Sequence, residues 1–258
     1  MSSAAMAVRA FYNSLLAGEQ TGPVLMFGGP PKIDTPLDGN IEGSASFQRF
    51  AIDQRSWLAE RQAEVEEVSL SETDQRAVAE VILKLKQNGD AVSLPVVLVA
   101  DLAGGMVTWL RIYHSTWPLT GTHRVRGPML KRNTRLGAPE TIKTYLSCLR
   151  KPDKDKALSL FSDEAYVREP SGDQFKHAGS SALDEFYSIA LANGGIPLKG
   201  CSATFDGTHC AIEYNCDAWG SATLPPQAGC SVYELNDENQ IVAVRIYDDL
   251  TPPSEKSS

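Results

Sequence analysis

The chain has 258 residues, a formal net charge of −8 and an apolar fraction of 42%. That length holds one large domain or two of about 100–150 residues with real cores. The acidic balance argues against a nucleic-acid surface, which needs a basic stripe, and no run of about 20 apolar residues marks a membrane span.

The opening stretch MSSAAMAVRAFYNSLLAGE is interrupted by Arg9 and followed by Glu19, so it reads as an amphipathic helix rather than a signal peptide. A cytoplasmic location is the expectation that follows. Residues 5–18 predict a helix with Val8, Phe11, Leu15 and Leu16 on one face and Gly18 as its stop. Gly28-Gly29-Pro30-Pro31 breaks the chain, and Lys32 to Pro36 is a short strand. Ser44 or Ser46 is placed to cap a helix through FQRFAIDQRSWLAERQ that buries Phe47, Phe50, Ala51 and Trp57.

The period then changes. Ala77, Ala79, Val81, Leu83 and Leu85 alternate with Val78, Glu80, Ile82, Lys84 and Lys86, the pattern of a strand. Asn88-Gly89-Asp90 turns the chain, Val92–Ala100 forms the next strand, and Met106–Tyr113 returns after a hairpin at Ala103-Gly104-Gly105. Helix, short strand, helix and antiparallel meander make an α+β pattern rather than βαβ.

Residues 121–139 carry no sustained periodicity and read as a linker; their basic run from His123 to Arg135 is a solvated or interdomain segment, with an anion patch as the alternative. The pattern then restarts: helices over Ile142–Leu149 and Ala157–Phe161, a strand over Ala165–Arg168, and a helix over Ser180–Leu191 with Leu183, Phe186, Ile189 and Ala190 inward. Four strands follow, Cys201–Phe205, Cys210–Ala218, Ala228–Leu235 and Ile241–Tyr247, and the tail TPPSEKSS is expected to be disordered. All five cysteines lie in this half, without CxxC spacing, and read as small buried hydrophobes.

The restart is a repeat. Arg111-Ile112-Tyr113 recurs as Arg245-Ile246-Tyr247, and Thr35-Pro36 matches Glu169-Pro170, both at an offset of 134 residues. The expected domains are therefore residues 1–133 and 134–258.

At LFSDEAYVREP, HAGSSALDEF and GCSVYELNDENQIVAVRIYDDLTPP the chain resembles the nuclear transport factor 2-like superfamily, in its ketosteroid isomerase and SnoaL-like polyketide cyclase branch. The first half resembles it more loosely through FYNSLLAGE, IDTPLDGNIEG and WLRIYHSTWPL. The resemblance implies two tandem cone-shaped α+β domains of the cystatin-like kind, each a curved antiparallel sheet wrapped around helices. It implies an apolar pocket used for isomerisation, cyclisation, dehydration or epoxide opening, or only for binding, with no cofactor. It also implies an intramolecular pseudo-dimer, with a further homodimer left open.

Tyr145 and Glu169 stand where ketosteroid isomerases place an oxyanion-donating tyrosine and a basic aspartate before a proline. A carboxylate against apolar walls becomes a stronger base, and a phenol stabilises the enolate-like transition state. Ketosteroid isomerase is a standard case of that tuning. The family's second oxyanion donor falls near Ser231, a weaker group. Asp248 matches the region of the cyclase base. His177, Tyr214, Cys216, Tyr233 and Ile246 are the remaining pocket candidates, with Glu213, Asn215 and Asp217 on the opposite face. Each has a plainer reading: Tyr145 as a core tyrosine, Glu169 and His177 as strand-end groups, Asp248 and Asp249 as a charged pair. No histidine joins these carboxylates at metal-ligand spacing, so no metal is expected.

In the first copy Phe11 and Thr35 replace Tyr145 and Glu169, and a rewired site there would use Asp34 and His114. The expected activity is cofactor-independent acid/base chemistry on a small hydrophobic carbonyl compound in the second domain. An epoxide hydrolase or polyether-type cyclase, and a non-catalytic binder, are the alternatives.

Overall fold

The computed structural model describes residues 1–19 and 22–251; the rest of the expected tail lies outside them. The chain divides into two compact units, Met1–Thr122 and His123–Ser258.

In the first unit the expected opening helix is two, α1 (Ser3–Arg9) and α2 (Phe11–Ala17), separated at Ala10 and stopped by Gly18 in the left-handed conformation. Ser2, not predicted, caps α1 by accepting from the Ala5 amide. A short α3 (Gly22–Leu25) precedes β1 (Lys32–Thr35) and β2 (Gly39–Glu42). The long helix α4 (Ser44–Glu60) has Gly43 at its N-cap, and neither Ser44 nor Ser46 caps it. Then come β3 (Glu64–Glu72), β4 (Arg76–Gln87), β5 (Asp90–Ala103), β6 (Met106–Tyr113) and a short α5 (Trp117–Thr120).

The second unit repeats the plan with α6 (Glu140–Arg150), α7 (Lys154–Leu158), β7 (Phe161–Arg168), β8 (Lys176–Ala178) and α8 (Ser180–Ala190). The long hairpins β9 (Lys199–Phe205), β10 (His209–Trp219), β11 (Ala222–Leu235) and β12 (Ile241–Tyr247) complete it. Phe161, expected to end a helix, instead opens β7; α7 begins earlier than expected, capped by Asp153 accepting from the Lys156 amide, and closes at Ser159. Ile189, expected inward, is 68% exposed, and Tyr187 takes the inward place on α8.

The two sheets have the same strand order, β2-β1-β6-β5-β4-β3 and β8-β7-β12-β11-β10-β9. Each is antiparallel except where its first strand meets its last. There the pairing is parallel, in place of the all-antiparallel sheet expected, since the intervening helix and meander return the chain in the same direction. Ile33 lies opposite Leu110 and Val167 opposite Val244, so both parallel registers repeat at the 134-residue offset of the sequence. One face of each sheet packs on its helices, giving one core around Phe11, Ile33, Phe47 and Leu98 and another around Ile142, Tyr145, Val167 and Tyr214. β-bulges at Glu67/Ser69 and Cys216/Ala218 bend the strands, as bulges do.

The stretch read as a linker is irregular but belongs to the second unit. The Arg126 carbonyl accepts from the Ala228 amide, the Leu130 carbonyl from Asn215 Nδ2 at 2.8 Å, and the Asn133 amide donates to the Gly200 carbonyl. It thus straps the outer face of β11, β10 and β9, the face opposite the helices. Its backbone polar groups are satisfied by the sheet rather than by helix or ladder, which is why it has no period.

Candidate functional site

Most of the expected site residues share the inner face of the second sheet, because alternate residues of one strand, and directly paired residues of two, point the same way. On β10 this face carries Cys210, Ile212, Tyr214 and Cys216; on β11, Gly229, Ser231 and Tyr233; on β12, Val244 and Ile246, with Asp248 just beyond its end.

At the deep end the Tyr214 hydroxyl donates to Asp248 Oδ2 at 2.6 Å, Ser231 donates to the Tyr214 oxygen at 3.5 Å, and the Leu250 amide reaches Asp248 Oδ1 at 3.3 Å. Asp248 is 7% exposed. Burial pushes its carboxyl up to about 6, against the lowering hydrogen bonds from Tyr214 and Leu250. The same burial, with the adjacent carboxylate, drives the Tyr214 phenol well above its ordinary value. Gly229 makes room for the pair: a Cβ there would lie 2.6 Å from the Tyr214 ring and 2.8 Å from the Asp248 Cβ. Asp249 turns the other way, accepting from His123 Nδ1 at 2.9 Å and the Arg124 amide at 2.7 Å, so it anchors the strap.

Two residues along β11, Tyr233 meets Tyr145 edge-on, with ring centroids 5.6 Å apart. The Tyr145 hydroxyl lies 2.7 Å from that of Tyr187, and Phe161 closes the cluster. Tyr145 is 3% exposed, and burial raises its phenol while the bond to Tyr187 opposes the rise. Tyr187 is the partner that the sequence reading missed. Its α8 position, four residues before Leu191, was the available signal.

Glu169 and His177 form a separate, half-buried pair at the rim. Glu169 follows β7 two residues after inward Val167, and His177 lies opposite Val167 on β8, so both face inward. His177 Nε2 meets Glu169 Oε1 at 2.7 Å, and its ring stacks on Phe186 with centroids 4.7 Å apart. Arg168 pairs with Arg245; continuing that register by one residue sets Glu169 level with half-buried Ile246, which lies opposite Ser231. The structure therefore groups Asp248, Tyr214, Ser231 and Cys216 at one end of the inner face, Tyr145 with Tyr233 beside them, and Glu169 with His177 at the edge. A cleft of about 640 Å³ beside Phe161, Asp163, Ser180 and Asp184 includes none of these residues.

In the first unit, Thr35 is bound to Asp38 at 3.1 Å, Phe11 packs in the core, and His114 Nδ1 faces the Ser115 carbonyl at 3.0 Å. Asp34 sits on the opposite strand face from Ile33 and Thr35. Among the described residues no cluster of three or more His, Cys, Asp or Glu groups fits a metal ion, and no helix is long and apolar enough to cross a membrane.

No family model and no curated protein matches the chain. Among solved structures it is similar to a nuclear transport factor 2-like protein of unknown function from Burkholderia pseudomallei, at 17% identity and TM-score 0.40, over 46% of this chain and 95% of that one. It is similar to a cystatin-fold protein from Novosphingobium aromaticivorans, at 19% identity and TM-score 0.36, over 42% and 94% of the two chains. A protein described as a candidate polyketide cyclase, from Sinorhizobium meliloti, matches at 17% identity and TM-score 0.37, over 42% and 94%.

Proposed function

We propose that the second unit is a cofactor-independent acid/base catalyst of isomerase, cyclase or lyase type, acting on a small hydrophobic carbonyl compound. The observation that carries this reading is the buried Asp248 carboxyl held by the Tyr214 hydroxyl at 2.6 Å on the inner face, where burial raises it to about 6. A carboxyl tuned towards neutral pH holds and releases a proton where an ordinary one does not. Glu169, reachable at the rim and oriented by His177, is the group to take the substrate's α-proton. Asp248 in its protonated form, with Oδ2 held by the Tyr214 hydroxyl, then supplies the hydrogen bond or proton to the developing oxyanion. Half-buried Ile246 and Phe186 give the substrate its apolar approach.

The test is α-proton exchange of 2-indanone in D₂O, followed by NMR. The protein is expected to exchange the protons faster than buffer, with Glu169→Gln and Asp248→Asn each lowering the rate by about 10² or more. Exchange at the buffer rate, or at the wild-type rate in both variants, overturns the reading. One observation favours a binder instead: the Tyr145 hydroxyl, the expected oxyanion donor, is already engaged by Tyr187. Saturable 2-indanone binding without exchange would select that alternative.

A further inference from the structure

The cleft of about 640 Å³ opens where the end of α7, the start of β7 and the first turns of α8 meet. Its size falls within the range of about 300–1,000 Å³ typical of small-molecule pockets. The most buried part of its lining is apolar, with Phe161 and Leu183 closed off from solvent and Leu158 half-buried. Phe161 packs on Tyr145 and Tyr187, each with ring centroids 5.8 Å away, so this floor is fixed from behind.

Around the floor stand polar groups of both hydrogen-bonding senses. Asp163 brings an exposed carboxylate, and Ser162, Ser180 and Ser181 bring hydroxyls. None of these four side chains has a hydrogen-bond partner among the described residues. Asp184, the other acid of the lining, is matched by Lys154, whose Nζ meets Asp184 Oδ1 at 2.6 Å and Ser188 Oγ at 3.1 Å. α8 starts without a side-chain cap at Gly179, and its first intrahelical bond runs from the Leu183 amide to the Gly179 carbonyl. The amides of Ser180, Ser181 and Ala182 are therefore left as donors at the positive end of the helix.

That mixture selects against a charged guest. Two carboxylates repel an anion, while Lys154 and the α8 N-terminus repel a cation. A neutral hydroxyl both donates and accepts, so it meets carboxylate, serine and amide alike. We propose that the cleft binds a neutral polyhydroxyl compound, a sugar or a cyclic polyol. Its carbon skeleton rests on Phe161 and Leu158, and adjacent hydroxyls bridge Asp163 to the first turn of α8. The cleft includes none of Asp248, Tyr214 and Glu169, so the site does not depend on the proton-transfer reading.

The experiment follows amide NMR signals of the full chain during separate titrations with methyl β-glucopyranoside, methyl β-galactopyranoside, methyl α-mannopyranoside and myo-inositol. Saturable shifts at Asp163 and at Ser180, Ser181 and Ala182 are expected with at least one of them. Asp163→Ala is expected to weaken that binding about tenfold or more, since a charge-assisted bond is lost, and Ser181→Ala several-fold. Both side chains are exposed, so both variants are expected to fold. Inorganic phosphate and n-butylammonium chloride serve as charged counterparts. Either one saturating the same amides at a lower concentration than every polyol overturns the ligand class. No saturable shift with any of the polyols, or equal affinities in wild type and Asp163→Ala, overturns the site.

Discussion

The two units share a backbone plan and differ in what they put inside it. Val81 lies opposite Val96 as Tyr214 lies opposite Gly229, and Leu98 opposite Ile112 as Ser231 opposite Ile246. The first sheet therefore lays an aliphatic row, Val81, Leu98 and Ala100, where the second lays Tyr214, Ser231 and Tyr233. Outer-face details survive in both: Ser69 donates to Glu80 and Ser202 to Glu213, each at 2.5 Å. Ladder hydrogen bonds are indifferent to the inner side chains, so the fold persists while the interior diverges. An aliphatic row needs only packing. Buried hydroxyls need partners, and the second unit pairs Tyr214 with Asp248, Ser231 with Tyr214 and, on the helices beside the row, Tyr145 with Tyr187.

The largest expected effect breaks the comparison on the outer face. Arg111 is fully buried and takes both Asp101 oxygens, at 2.6 and 3.1 Å. Asp101→Asn removes the charge from that two-oxygen contact and is expected to cost about 3–5 kcal/mol in denaturant unfolding. In the second unit the Glu234 carboxylate that Arg245 meets at 2.9 Å is 36% exposed, so Glu234→Gln is expected to cost less than half as much. Equal losses would mean that the two arginines are held alike.

The next sets the units against each other in pH. Asp248, raised to about 6 chiefly by burial, binds its proton more tightly folded than unfolded. Its contribution to stability is complete below about pH 4 and is lost as pH rises through 6, on the order of 3 kcal/mol. Asp101 has the opposite sign. Burial raises its carboxyl, but Arg111 and Arg76 outweigh that and lower it, so its stabilisation is lost as pH falls through its folded value. Asp248→Asn should flatten the wild-type loss of stability between pH 4 and 7; an unchanged slope would show that the carboxylate reaches water.

A smaller effect tests hydroxyl pairing. Tyr145→Phe or Tyr187→Phe each strands one buried hydroxyl and is expected to cost about 1–3 kcal/mol, whereas the double variant should cost less than the sum. Strict additivity in denaturant titrations would mean that the two hydroxyls do not depend on each other.

Much of this was legible in the chain. The 134-residue offset foretold the repeated register, and alternation placed Tyr214 and Cys216 inward. What stayed hidden depends on contacts across space. Edge strand β3 is glutamate-rich, since an unpaired edge is protected by charge, and so it lacks an apolar period. The Glu169–His177 pair needs the tight turn at Asp173–Phe175 to fold β8 back on β7. Tyr187 replaces Ile189 as the inward residue because Leu183, Tyr187 and Ala190 follow the i, i+4, i+7 spacing of one helical face, and Ile189, six residues from Leu183, falls off it. The burial of Arg168 has no signature in a strand whose alternate residues could equally face water.

The finest cut at the comparison is one methyl group. Gly229 stands where the first unit has Val96, and the missing side chain is what lets Tyr214 and Asp248 close on each other. In Gly229→Ala the new Cβ must displace an aromatic ring and a carboxylate backbone-proximal carbon, with an expected loss of about 1–2 kcal/mol. The informative readout is the Asp248 titration followed by carboxyl-carbon NMR. If the ring and the acid separate while both stay buried, the hydrogen bond that holds the carboxyl down is lost and its midpoint moves above 6. A midpoint that falls instead means the carboxylate has escaped to water, and the inner face would then be too yielding to hold a proton for catalysis.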